Sequence, residues 1–173
     1  FSGNLDIAEY AKIAKEEGLL LIVRPGPYIC TEWDFGGIPS WLLREKDMQV
    51  RTKNKRFLAA NEIYMKEVAK RLIPHQINNG GNIIMVQVEN EYGSFGDDHE
   101  YMKAVKESIV NAGFTVPLFT SDGPGENLLK GGTLPDVASV INFGSGDDPA
   151  KEFASFAKFR TGVPKMVGEY WVG

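Results

Sequence analysis

Two apolar runs close in glutamate beside an aromatic ring: Glu91 in Val88-Glu89-Asn90-Glu91-Tyr92-Gly93 and Glu169 in Val167-Gly168-Glu169-Tyr170-Trp171. A strand ending this way presents a carboxyl group next to a flat apolar platform, and two such ends facing one pocket suit glycosidic bond hydrolysis. Hydrolysis with retention needs an acid to protonate the leaving oxygen and a carboxylate to attack the anomeric carbon, about 5 to 5.5 Å apart. Period-2 alternation predicts Ile83, Met85, Gln87, Glu89 and Glu91 on one face, with Asn90 pointing away unless the strand end twists. Glu91 then lies nearer the mouth, while the deeper Glu89 reads as a hydrogen-bond anchor, because a buried acid needs partners. Position alone leaves either of them opposite Glu169. Glu169 follows a glycine that permits close backbone approach and precedes Tyr170-Trp171, able to stack on a sugar face. Its plain alternative is an ion pair with an arginine such as Arg24. Glu32 and Trp33 could bind hydroxyls and a sugar face, or Trp33, Phe35 and Trp41 could merely pack a loop.

The elements that position these residues alternate helix and strand throughout, without repeat or linker. A helix over residues 5–17, capped by Asn4 and closed by Gly18, precedes a buried strand at 19–24. A helix over 54–73 carries Phe57, Tyr64, Val68 and Leu72 on one face and stops at Pro74, followed by a strand at 82–90. A helix over 98–112 ends at Gly113, with a strand at 118–121. Beyond a glycine-rich loop come a strand at 137–143, a helix opened by Asp148-Pro149 with Phe153, Phe156 and Ala157 turned inward, and a strand at 165–170.

Continuous apolar strands separated by helices imply a parallel sheet covered on both faces. A doubly wound sheet usually has a glycine-rich phosphate loop after its first strand, whereas here that turn is Arg24-Pro25-Gly26-Pro27-Tyr28-Ile29-Cys30-Thr31-Glu32-Trp33. A (β/α)8 TIM barrel, whose site gathers at the C-terminal strand ends, fits better, although five strands do not close one and a full barrel takes about 250 residues. The α/β fold expected is therefore a partial barrel, with residues 1–173 as one partial catalytic domain.

The 173 residues are 43% apolar and carry a net charge of −4, so no basic field favours nucleic acid. The longest apolar run is too short for a membrane span. One cysteine, Cys30, and two histidines offer neither a disulfide framework nor a metal-ligand spacing, so no metal or cofactor is expected. His99 reads as a surface residue at a helix start and His75 follows Pro74 at a helix end, so neither is a favoured catalyst. Gly144-Ser145-Gly146 reads as a turn and cap rather than an anion cradle, and Ser121-Asp122-Gly123 as turn chemistry. Phe153, Phe156 and Phe159 read as core and rim.

The motifs from Arg24 to Trp33, Gly36-Gly37-Ile38-Pro39-Ser40-Trp41-Leu42, Gln87 to Gly93 and Glu169-Tyr170 resemble family 35 glycoside hydrolases, the β-galactosidases, across nearly the whole chain. The resemblance implies a (β/α)8 barrel, retention, and removal of terminal non-reducing β-D-galactose by double displacement. An exo-β-glucosaminidase of the same family and a silent carbohydrate-binding homologue are the alternatives. It implies Glu91 as acid/base, Glu169 as nucleophile, Asn90 as the ligand of the sugar's 2-hydroxyl, and Cys30, Thr31 and Glu32 where galactose hydroxyls are held. Thr31 stands where some relatives have alanine. The five strands then correspond to barrel strands 3 to 7, with strands 1, 2 and 8 and several pocket tyrosines absent. The partner implied is a β-galactoside oligosaccharide or glycoconjugate, and the remainder of a parent enzyme is expected for a complete site. A secreted, periplasmic or lysosomal setting is also implied.

Overall fold

Asp6, not Asn4, starts the first helix. In the computed structural model, which describes residues 1–172, the Asp6 carboxylate accepts from the N–H groups of Ala8 and Glu9 and caps α1, Ile7–Glu16. Asn4 falls within a single 3-10 turn, Gly3–Leu5, so it cannot offer its side chain to the helix start. Ala11 and Ala14 are buried, and Gly18 takes the left-handed conformation expected of it, with φ 74°.

The first strand, β1, spans Leu21–Val23 and is shorter than expected. Among the described residues it lies at the sheet edge, paired with β2, Ile83–Gln87, and Leu19 and Leu20 before it are exposed. Between them α2, Lys55–Leu72, is capped by Asn54 and buries Phe57, Val68 and Leu72, while Tyr64 stays more than a third exposed. Asp98 caps α3, His99–Ala112, which ends at left-handed Gly113. The remaining strands are β3, Leu118–Asp122, β4, Ala138–Gly144, and β5, Val167–Trp171.

Two expectations are corrected here. The glycine-rich stretch after β3 contains a short helix, α4, Glu126–Gly132. Its two terminal glycines pack where a side chain would collide: a Cβ on Gly132 would lie 1.9 Å from Asp122 Oδ1, and one on Gly131 2.6 Å from the Gly96 carbonyl. In α5, Pro149–Phe159, Asp148 accepts from the Ala150 N–H at 2.9 Å as expected, and Phe156 is buried. Ala157, however, is exposed: its neighbour Phe156 takes the inward direction, and adjacent helical positions face apart.

All neighbouring strands are parallel, in the order β1-β2-β3-β4-β5. Phe57, Met65, Tyr101, Val105 and Ile109 from α2 and α3 form the main core with Ile83 and Val86 of β2. Each such side chain contributes about 1.5–3 kcal/mol by leaving water. A second cluster joins Leu129, Ile141, Phe143 and Phe156 under α4 and α5. The sheet is curled rather than flat, because Arg24, just past β1, donates to Glu169 of β5, the opposite edge strand. Five parallel strands curled into a half-barrel constitute a partial (β/α)8 barrel.

Candidate active site

β2 stops as a regular strand at Gln87, and its C-terminal extension changes conformation. Glu89 and Glu91 both adopt left-handed backbone, φ 59° and 46°, so simple alternation fails over these residues. The consequence is that Asn90, expected to point away, joins the same rim. Its Oδ1 accepts from Gln87 Nε2 at 2.7 Å and from Arg24 Nη2 at 2.7 Å. With the amide oxygen so engaged, Asn90 Nδ2 is buried and has no partner among the described residues. A buried donor left open in this way is ready for a ligand acceptor.

Glu89 is the anchor, not a member of the rim pair. Arg51 grips it through Nε at 2.9 Å and Nη2 at 2.7 Å, Tyr101 Oη donates at 2.8 Å, and the Asn90 N–H donates at 2.6 Å. Arg51 also donates to the Asn90 carbonyl at 2.8 Å, and its guanidinium lies 3.9 Å from the Tyr28 ring centre and 4.4 Å from that of Phe95. Burial pushes the Glu89 carboxyl upward, opposed by Arg51, the Asn90 N–H and Tyr101. Burial together with Glu89 pushes the Tyr101 phenol upward, so it stays a donor. Arg51→Lys keeps the charge but loses the two-pronged grip, and should destabilise the protein by about 2 kcal/mol. A urea unfolding midpoint equal to wild type would refute that role.

Glu91 and Glu169 meet through Asn142 of β4. Asn142 Nδ2 donates to Glu91 Oε1 at 2.9 Å, and Asn142 Oδ1 accepts from the backbone N–H of Glu169, also at 2.9 Å. The Glu169 carboxylate is touched by two donors, Arg24 on Oε1 and Trp171 Nε1 on Oε2 at 3.2 Å. The arginine pairing foreseen as the plain alternative for Glu169 is therefore present. It does not compete with a reactive role, since each carboxylate oxygen retains a second lone pair. Gly168 is needed here: a Cβ would stand 2.3 Å from Ser121 Oγ and 2.8 Å from Asn142 Oδ1.

Asp122 lies beneath the turn that follows Glu91. It is 1% exposed, its Oδ1 accepts from the Gly93 N–H at 2.9 Å, and burial raises its carboxyl to about 7, with the charge of Glu91 adding to the rise. This corrects the reading of Ser121-Asp122-Gly123 as simple turn chemistry: Ser121 and Asp122 are both interior.

Cys30, Thr31 and Glu32 are placed differently from the rim carboxylates. All three are exposed on the loop after β1, Cys30 and Glu32 at positive φ, and among the described residues none hydrogen-bonds to Asn90, Glu91 or Glu169. Cys30 Sγ accepts from Tyr28 Oη at 3.7 Å. Trp33 and Trp41 are exposed rather than packed. A largely apolar cavity of about 240 Å³ between this loop and α2, lined by Ile29, Trp41, Phe57 and Tyr64, contains none of these carboxylates. Among the described residues there is no group of three or more His, Cys, Asp or Glu that could hold a metal, and no helix long and apolar enough to cross a membrane.

The residues missed from sequence were Arg51, Ser121, Asp122 and Asn142. Asn142 had a signal: an amide inside Val140-Ile141-Asn142-Phe143 must find partners once the strand is buried.

A curled parallel half-barrel with glutamates from two separate strands at its rim has the design of a barrel glycoside hydrolase. The chain belongs to glycosyl hydrolases family 35, whose family model matches residues 1–173. It is similar to a beta-galactosidase of Xanthomonas manihotis, 49% identical over the whole chain and 29% of that protein, and to one of Mus musculus, 41% identical over the whole chain and 27% of that protein. The chain thus spans under a third of the length of these relatives. Among solved structures, a beta-D-glucuronidase from Dictyoglomus thermophilum superposes with a TM-score of 0.61 at 17% identity, over 94% of this chain and 28% of that one; this likeness concerns the fold alone.

Proposed function

We propose that residues 1–173 form part of a catalytic barrel that removes terminal non-reducing β-D-galactose with retention, Glu169 acting as nucleophile and Glu91 as acid/base. The observation that carries this reading is the meeting of Glu91 and Glu169 on one buried amide, that of Asn142. The relatives named beta-galactosidase support the choice of sugar.

In the first step a Glu169 oxygen attacks the anomeric carbon, the bond to the leaving oxygen breaks, and that oxygen takes the proton of Glu91. In the second, Glu91 as carboxylate takes a proton from water, whose oxygen attacks the same carbon and releases Glu169. Asn90 Nδ2 donates to the sugar's 2-hydroxyl; the open donor at that atom supports this role. Cys30, Thr31 and Glu32 bind further hydroxyls from the loop after β1, and Trp171 offers a face for the ring.

The test is to treat the protein at full length with a 2-deoxy-2-fluoro-β-galactosyl fluoride, which slows release of the covalent intermediate, and to map the label by peptide mass spectrometry. The label is expected on Glu169. Its appearance on another residue, or labelling by the glucosaminide analogue in preference, would reject the assignment.

A further inference from the structure

Asn142 sits fully buried in a strand whose other residues, Ser139 apart, are apolar, and burying a primary amide there is unfavourable unless its hydrogen bonds are made. Its orientation is fixed by chemistry. The backbone N–H of Glu169 can only donate, so Oδ1 must face it, which turns Nδ2 toward Glu91 Oε1. Ser121 reinforces the arrangement: its Oγ donates to Asn142 Oδ1 at 2.6 Å, and its carbonyl accepts from the Glu91 N–H at 3.0 Å, holding Glu91 in its left-handed conformation. Gly168 leaves the space these groups occupy.

We propose that Asn142 is a positioning residue that sets Glu91 against the Glu169 strand and reserves Glu91 Oε2 for the transferable proton; this rests on the reading of Glu91 as acid/base and Glu169 as nucleophile. Because Nδ2 is a donor, Oε1 must accept, and the proton that Glu91 delivers is carried on Oε2. The same oxygen then receives the proton of the attacking water. One amide therefore fixes both the separation of the two strand ends and the direction of proton transfer.

An N–H directed at a carboxylate favours the charged form, so removing it favours the protonated acid. The charged groups around Glu91 are Asp122 of β3, Glu169 of β5 with its partner Arg24 after β1, and, two residues back, Glu89 with Arg51. On α4, Glu126 and Lys130 pair with each other at the surface. None of them supplies a donor in place of Asn142.

The experiment compares wild type, Asn142→Ala and Asn142→Asp in the protein at full length, measuring kcat/KM against pH on a nitrophenyl and on an alkyl β-galactoside. Asn142→Asp keeps both acceptor contacts but loses the donor and adds a charge. Its high-pH limb should move up by about one pH unit or more, and that of Asn142→Ala by less. Both variants should lose about 10- to 100-fold more on the alkyl than on the nitrophenyl substrate, since only the poorer leaving group depends strongly on proton delivery. Folded variants with an unmoved limb and an unchanged substrate ratio would overturn the proposal. Should Asn142→Ala fail to fold, the near-isosteric Asn142→Asp decides it alone. A wild-type protein that is labelled elsewhere than Glu169 refutes the underlying reading instead, and the proposal falls with it.

Discussion

Glu169→Gln in the protein at full length is expected to lower kcat on an aryl β-galactoside by roughly 10⁴-fold or more and to leave no trapped glycosyl-enzyme. The amide is nearly isosteric with the acid, but it keeps only one oxygen, so one of Arg24 and Trp171 retains an acceptor while the other faces the NH2 group, and the side chain no longer attacks carbon. Glu91→Gln should behave differently. General acid catalysis is worth about 10²- to 10⁴-fold, so the loss should reach that range on an alkyl galactoside and shrink on a dinitrophenyl one, which needs no proton to leave. With the activated substrate, added azide should rescue Glu91→Gln as a β-galactosyl azide, because an anionic nucleophile needs no base. Steady-state kinetics on the two substrates with product analysis separates the roles. Equal losses in both variants on both substrates would mean that neither assignment holds.

The asymmetry expected of the two variants follows from how each side chain is held. Glu169 faces two donors, Arg24 and Trp171, which suits a group that reacts as an anion. Among the described residues Glu91 has a single side-chain bond, from Asn142 to Oε1, which leaves Oε2 open, as the proposed acid/base role requires. Glu89, the third carboxylate of the neighbourhood, is saturated by Arg51, Tyr101 and the Asn90 N–H and has no open lone pair directed at the rim. Its function is mechanical: it clamps the backbone that presents Asn90 and Glu91.

Much of this was legible in the residues. The alternation of helix and strand, the helix starts near Asn54 and Asp98, Asp148 as a cap, Gly18 as a left-handed stop and Gly113 as a helix end all follow from local chemistry, which acts over a few residues, whereas the first cap moved from Asn4 to Asp6. Glu89 as an anchor followed from the need of any buried acid for partners, but Arg51, far away in sequence, was not readable as that partner. The twist of residues 89–91 was also out of reach. It depends on tertiary bonds from Arg51 and Ser121 that outweigh the preference of glutamate for negative φ. Helix α4 escaped notice because glycine is a poor helix former; here Gly131 and Gly132 are required by close packing against Gly96 and Asp122, which sequence alone does not reveal. Asp122 looked like a turn residue for the same reason: its neighbour Gly123 suggests a turn, and only the folded sheet buries it.

That buried acid gives the second large effect. Asp122→Asn is expected to stabilise the protein by about 4 kcal/mol above pH 7 and hardly at all near pH 4. Burial raises Asp122 from 3.8 to about 7, so the folded protein binds this proton more tightly than the unfolded chain does. Well below about pH 4 the group is neutral in both states and imposes no penalty. As pH rises from about 4 to about 7 the unfolded chain ionises freely while the folded one resists, and stability falls; above about 7 the penalty is complete and constant. Asparagine keeps the Oδ1 acceptor for the Gly93 N–H but cannot ionise, so it removes the slope. Thermal unfolding of both proteins across this pH range should show a difference that grows through the window and then levels off. A difference independent of pH would mean that Asp122 is not a buried titrating acid, whereas one that shrinks with rising pH would reverse the sign of its linkage. The slope also has a bearing on the rim, because the charge that appears on Asp122 near neutral pH does so beneath the turn that carries Glu91, where it opposes a second negative charge.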